Sequence, residues 1–481
     1  MRTRLLLPLI LLFAAPSVGA AQAGSCNLVK SELAAVDQAL GIATVKGPLE
    51  VQCGGGTTLR ADSAVVYINS NEVHLFRNVN YRDPTRTLTS EYATYSSVSG
   101  RLYATGNVNF RDATRGTTLR GPELEYYRAI PGRPQAQVIA GQRPHLTAVP
   151  KAGSGNREPL EIDADRITTL GENYFSASGR VVVHRSDLDA TADEATHDTQ
   201  QETLNLRGNA QIRAERFDLA GQVIDATLPG GELDRVVARD RAELVSEKLR
   251  VDGPEIRLFF DDDYLQRLVT RRGEGAAGER PLLTAAGFRM EADSVEAILP
   301  GQRLERVIAT GKAVGERFDT ATAPGARPPA PARPAAASRP RMARGERPSP
   351  TIDVRDRDWV VGDTVIGYFI PADTTGSARG AEPARADAVE LDRLVAKGSA
   401  RTLYRVQEEN ERRERPGLNY LVGNEIELKL KEGEMDVAQV RGLQRGVYLD
   451  PVAPGARPAA PANGATNGQT PAPRTPPPGR P

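Results

Sequence analysis

The chain has 481 residues, with 62 basic and 62 acidic side chains, 45 glycines, 35 prolines, two cysteines and one tryptophan. This balance excludes a nucleic-acid-binding domain, which needs a basic surplus, and the cysteines are too few and too far apart for a zinc site. A glycine- and proline-rich, aromatic-poor composition favours many short strands separated by turns over a helical bundle.

Residues 1–23 read as a secretory signal peptide. "MRTR" is a short cationic start, "LLLPLILLFAAPSVG" an apolar run, and "AQA" (Ala21–Ala23) a small-residue cleavage site. The mature chain is expected to begin near Gly24 and to be periplasmic. It is expected to be soluble, because no later segment approaches a membrane-spanning length. Lipidation at Cys26 competes with simple cleavage, but "AGSC" lacks the large aliphatic residue expected three positions before a lipidated cysteine. Residues 24–56 form an N-terminal lead-in. Within it "SELAAVDQALG" (Ser31–Gly41) is predicted as a short capped helix. Cys26 and Cys53 can form one disulfide in an exported chain; the alternative is two unpaired thiols.

From residue 57 two short patterns alternate. The first begins with a large apolar residue and soon reaches an acidic or turn residue: "LRADSAVVY" at Leu59, "LTSEYATY" at Leu88, "LRGPELEYY" at Leu119, "LAGQVIDAT" at Leu219. The second carries a glycine inside an alternating strand: "LYATGNVNFRD" with Gly106, "FSASGRVVVHR" with Gly179, "LNLRGNAQIRA" with Gly208, "LERVIATGKAV" with Gly311, "LDRLVAKGSA" with Gly398. Asn78 and Asp240 stand near the glycine's place in two weaker copies. The first pattern recurs at steps of 29, 31, 43, 26, 31, 30 and 39 residues, and a step near 30 means stacked repeats with occasional loop insertions.

Strands with one apolar face bury it only by stacking. The expected fold is all-β: two facing antiparallel sheets built from about ten ~30-residue repeats. Two patterns per repeat suggest that each supplies one sheet, and ten strands at ~4.8 Å spacing extend roughly 48 Å. The mid-strand glycine marks a bulge or bend where the strand turns between sheets. Repeats are assigned to residues 57–320 and 351–450. A disordered Pro/Arg-rich insertion (321–350), a smaller break at Gly376–Ala388 and a disordered Pro-rich tail (451–481) stand outside the stack.

No catalytic motif emerges. His74, His145, His184 and His197 are scattered without metal-ligand spacing, and no nucleotide loop or nucleophile elbow is present. Asp62, Glu91, Asp165, Asp193 and Asp293 recur at one phase of the repeat, which suits strand edges or turns better than a unique active site. "FFDDDY" (Phe259–Tyr264) reads as a solvated turn rather than a calcium loop. A polysaccharide lyase would show a local break carrying several Asp, Arg or Lys on one strand face, and none is found. No enzyme, metal or cofactor is expected.

The run "LRADSAVVY", "LTSEYATYSSVSGRLYATGNVNFRD", "LRGPELEYY" resembles the OstA/LptA-like family of lipopolysaccharide-export proteins. The resemblance is good over Thr57 to about Val149, moderate over Leu160–Val245 and weaker over Phe288–Leu449. It implies an elongated V-shaped β-jellyroll with an apolar groove that carries lipopolysaccharide acyl chains across the periplasm. It also implies edge-strand pairing with inner- and outer-membrane transport components, or head-to-tail self-association. The chain departs from the family in its length, its proline-rich insertions and the lack of a C-terminal outer-membrane barrel. Leu102, Ala104, Val108, Phe110, Leu204, Leu206, Ala210 and Ile212 are candidate groove-liners. No catalytic residue is needed, since each buried CH₂ contributes about 0.8 kcal/mol. The competing reading is an exported structural or adhesive β-scaffold with a closed, packed core. Small inward residues favour the groove.

Overall fold

The computed structural model describes residues 26–149, 158–186, 188–247, 249–262, 264–274, 278–317, 357–371, 389–406, 417–431 and 434–450. The expected signal peptide (1–23), the expected insertion (321–350), the break at 376–388 and the expected tail (451–481) fall outside these residues.

The described residues contain 28 strands and no α-helix. They join into one antiparallel meander in which each rung pairs with the rungs before and after it in the chain. Six rungs are split into two strands end to end, as where Gln137–Gly141 and His145–Ala148 together pair with Thr117–Tyr127. Counting such pairs as one, the meander has 22 rungs. At ~4.8 Å each it extends roughly 100 Å.

Every rung bends in the middle. In Arg101–Asp112 the ladder steps from Thr105↔Glu123 to Val108↔Gly121, so one strand inserts an extra residue at the bend. That residue comes with two consecutive left-handed positions, Gly106 (φ 77°) and Asn107 (φ 50°). The same doublet recurs at Arg77–Asn78, Gly179–Arg180, Gly208–Asn209, Asp240–Arg241, Gly311–Lys312 and Gly398–Ser399. These bulges align into a spine that folds the sheet into two leaves. One leaf holds the strand ends at Cys53, Thr57, Arg86 and Asp112; the other holds those at Tyr67, Ser96, Arg101 and Tyr127.

Each strand therefore belongs to both leaves. The expectation that the two sequence patterns supply separate sheets is corrected: they are hydrogen-bonded neighbours, and the facing surfaces are two halves of the same strands. Nor are residues 24–56 a lead-in, because Ile42–Cys53 pairs along its length with Thr57–Tyr67 and belongs to the stack. The predicted helix at Ser31–Gly41 is instead the strand Leu33–Asp37, paired from Leu33↔Lys46 to Asp37↔Ile42. A helix this short is marginal alone. The ladder satisfies its backbone, and Asp37 Oδ1 accepts the N–H groups of Ala39 and Leu40 to turn the chain. Asp83, Asp112 and Asp198 close other hairpins in the same way.

The recurring acids lie at the spine: Asp62, Glu91 and Asp193 within strands rather than at strand edges or turns, Asp165 and Asp293 at the bends between end-to-end strands; each packs over the bulge of the next strand. Glu91 lies against Gly106, Asp165 against Gly179, Asp193 against Gly208 and Asp293 against Gly311, where any Cβ would collide. Asp62 accepts from Asn78 (2.9 Å), Glu91 from Asn107 (2.5 Å) and Asp165 from Arg180 (2.5 Å), so acid and left-handed residue hold one another across the bend.

Candidate functional site

The space between the leaves is the candidate site. Its lining is graded. Near the spine, where the leaves converge, it consists largely of alanines such as Ala61, Ala64, Ala93, Ala104, Ala192 and Ala195; toward the rims it becomes Leu, Ile, Val and Tyr. The small residues fit a wedge at its narrow end, so they do not by themselves leave room for a ligand. From Val45 to Leu428 the inward residues form one continuous apolar cluster.

Of the eight candidate liners, Leu102, Ala104, Val108, Phe110, Leu206, Ala210 and Ile212 are buried, and Leu204 is half-buried against them. Both leaves contribute. Leu102, Ala104, Leu204 and Leu206 precede the bulge, whereas Val108, Phe110, Ala210 and Ile212 follow it. Leu102 and Ala104 expose 0% of their surface, so the leaves meet here.

Polar groups hold the rims together. Tyr81, from one leaf, packs against Tyr95 and Tyr126 from the other, with ring centroids 6.2 and 5.8 Å apart. The Tyr126 hydroxyl donates across the mouth to Asp83 Oδ2 (3.0 Å) and accepts from Arg86 Nη1 (3.3 Å). Arg86 also pairs with buried Asp112 at 2.9 Å. Burial pushes the Tyr81 and Tyr126 phenols far above their usual range, with neighbouring Asp83 adding to both, so each remains a donor. Arg128 reaches from one rim to Gly54 O (2.8 Å) and Thr57 Oγ1 (3.2 Å) on the other. Further along, Arg115 donates across the mouth to the carbonyls of Leu170 (3.2 Å), Gly171 and Tyr174 (3.4 Å). Arg216 donates to Gln302 and lies 5.6 Å from the centroid of the Tyr264 ring.

Periodicity does not reveal this clasp, because its members sit in or beside turns. One signal was readable: "DPTR" (Asp83–Arg86) and "DATR" (Asp112–Arg115) repeat one turn motif, and both arginines cross the rims.

Cys26 and Cys53 face each other at the first rungs and form a disulfide, with Cα atoms 4.0 Å apart. Among the described residues no three His, Cys, Asp or Glu side chains gather to hold a metal, and no helix is long and apolar enough to cross a membrane. The "FFDDDY" segment lies at the hairpin between Leu249–Asp261 and Tyr264–Arg271. No protein-family model matches the chain, and no curated protein matches it.

Proposed function

We propose that the protein is an OstA/LptA-like periplasmic bridge that takes lipopolysaccharide acyl chains, or those of a related glycolipid, between its two leaves and passes them toward the outer membrane. The observation that carries this reading is the apolar seam, which runs through the stack from Val45 to Leu428. An acyl chain entering it exchanges leaf–leaf contact for leaf–lipid contact, an exchange nearly neutral in apolar area. What opposes entry is the set of rim bonds, at about 1 kcal/mol each. The binding needs no enzyme chemistry and no cofactor. The first and last rungs are sheet edges exposing apolar side chains: Leu28, Val29 and Val36 at one end, Val437, Tyr448 and Leu449 at the other. Such edges suit strand pairing with membrane components or with a second copy.

The closed contact at Leu102 and Ala104 favours a second reading, an exported structural or adhesive scaffold whose core is simply packed. One experiment separates the two. A photo-crosslinking amino acid replaces Val108 or Leu206, with outward Arg207 as control, in protein expressed in its own envelope. The transport reading expects glycolipid adducts at Val108 and Leu206 only. Exported, folded protein that gives none at these or neighbouring inward positions belongs to the scaffold reading.

A further inference from the structure

The hairpins at residues 53–57, 83–86 and 112–115 follow one another along one rim of the seam. Each is two rungs from the next, a step of about 10 Å. An arginine stands at the mouth at every step: Arg128 meets the first hairpin, Arg86 belongs to the second and Arg115 to the third. Arg86 has a carboxylate partner in Asp112. Arg115 and Arg128 are half-buried, and among the described residues neither guanidinium pairs with a carboxylate. Arg115 donates to the carbonyls of Leu170, Gly171 and Tyr174, although Asp112 and Glu172 are in its neighbourhood. Arg128 donates to Gly54 O and Thr57 Oγ1. A half-buried guanidinium loses hydration, and neutral acceptors return less for that loss than an anion does.

Beside Arg128 is a buried hydroxyl with nothing to bond. Tyr95 is 1% exposed, and among the described residues no hydrogen-bond partner reaches its hydroxyl. Arg128, Thr57 and Asp83 are its polar neighbours. Thr57 Oγ1 is engaged by Arg128 at 3.2 Å, and Asp83 Oδ2 already accepts from Tyr81 (3.1 Å) and Tyr126 (3.0 Å). Burial holds the Tyr95 phenol above its usual pKa, so it stays a donor at neutral pH. A buried donor without an acceptor is rare in a folded protein and costs stability. Three donors thus stand together at the first hairpin, the Arg128 fork and the Thr57 and Tyr95 hydroxyls, and the acceptors around them are too few.

We propose that this stretch of the mouth receives a phosphoryl group of the glycolipid headgroup while the acyl chains occupy the seam. The site rests on the lipid reading and adds to it the part of the ligand that an apolar seam cannot select. A phosphoryl group carries three acceptor oxygens and close to two negative charges, which suits one guanidinium fork and two hydroxyls. As the leaves part, Arg128 exchanges Gly54 O and Thr57 Oγ1 for phosphoryl oxygens, and the Thr57 and Tyr95 hydroxyls donate to the same group. Arg115, two hairpins along, exchanges its carbonyls in the same way and extends the cationic rim. The neutral bonds that hold the mouth shut are thereby replaced by charge-assisted ones. An uncharged lipid breaks the same bonds and gains nothing in return, so the rim selects for the anionic headgroup.

The full chain is titrated by calorimetry with a diacyl glucosamine phosphate, the same lipid without its phosphate, and sodium phosphate at matched ionic strength, both lipids below their micelle concentration. The proposal expects the phosphorylated lipid to bind at least about tenfold tighter than its phosphate-free twin, and sodium phosphate to bind far more weakly than either. Arg128→Gln should remove most of that preference. Because it also frees the rim, the phosphate-free lipid should bind as well as before or better, whereas a folding defect would weaken both lipids together. Tyr95→Phe removes a hydroxyl that bonds nothing in the closed chain, so the unfolding midpoint should hold or rise, while the phosphorylated lipid loses about fivefold in affinity, the worth of one hydrogen bond. Equal affinity for the two lipids, or a preference that survives both variants, overturns the headgroup site and leaves the lipid reading standing. Failure of both lipids to bind the folded chain overturns the lipid reading and the site with it. Sodium phosphate binding as tightly as the phosphorylated lipid assigns these donors to a free anion and overturns the headgroup.

Discussion

The left-handed doublets at the spine are where single residues decide most. Gly208 has φ 75° and its missing side chain is where Asp193 packs. Gly208→Ala adds both backbone strain and a collision, and is expected to cost about 2 kcal/mol in chemical denaturation. Asp240 occupies the same backbone position in its own strand at φ 61°. Asp240→Gly should relieve strain and raise stability by up to about 1 kcal/mol, and loss of stability here would contradict the account of the spine. His197 supplies a second residue-scale test. It packs against Phe175, with ring centroids 5.6 Å apart, and burial holds its pKa below the usual value despite neighbouring Asp198. The folded protein thus keeps His197 neutral, while the unfolded chain protonates it near pH ~6.5. The unfolded state then binds more protons, so stability falls as pH drops through that value toward the lower folded pKa. His197→Leu should flatten the decline in denaturation midpoint between about pH 7 and 5 relative to wild type; carboxylate contributions are common to both proteins and cancel in the comparison.

At the scale of strands and turns, the rim bonds hold the two leaves together. Arg115 and Arg128 each make their cross-rim bonds to backbone carbonyls, with Arg128 adding the Thr57 hydroxyl. Arg115→Ala and Arg128→Ala should each lower stability by about 1 kcal/mol and increase uptake of an apolar fluorescent probe; unchanged uptake in a folded double variant would mean that apolar packing alone keeps the leaves closed. Arg86→Met is predicted to cost more, about 3 kcal/mol, because it leaves the buried Asp112 carboxylate without its ion-pair partner, only the turn N–H groups of Thr114 and Arg115 remaining on it. These elements were only partly legible in the sequence. Alternation in "RLYATGNVNFRD" locates a strand and its buried side, Leu102, Ala104, Val108 and Phe110. It says nothing of what that side meets, because a period of two reports a face and not its partner. The Ser31–Gly41 segment fails in the opposite way: its Ala and Leu content favours a helix locally, and only the adjoining Ile42–Lys46 ladder makes it a strand.

Across the whole molecule, each rung contacts chiefly its neighbours, so stability is expected to be distributed along the stack rather than concentrated in one nucleus. The Cys26–Cys53 disulfide closes a 27-residue separation at the first rungs. Removing it as Cys26→Ser/Cys53→Ser should cost on the order of 3 kcal/mol, confined to that end. Hydrogen exchange should accelerate in Ile42–Cys53 and Thr57–Tyr67 while Thr203–Ala214 and Leu249–Asp261 keep their protection. Acceleration throughout would instead indicate that the stack unfolds as one unit.

The amino-acid sequence by itself determined most of the strands, the ~30-residue repeat and the mid-strand positions where the chain must bend. All of these rest on interactions within a strand or between consecutive strands. Tertiary structure alone decided that both patterns run through both leaves, that alanines mark the narrow end of a wedge, and that the mouth is bonded shut. The rim contacts show why. Tyr126 meets Asp83 across 43 residues, Arg128 meets Gly54 across 74 and Arg216 meets Gln302 across 86. Such pairs come together only after the bulges of several successive strands have set the angle between the leaves, and that angle is a sum over the spine that no single repeat contains.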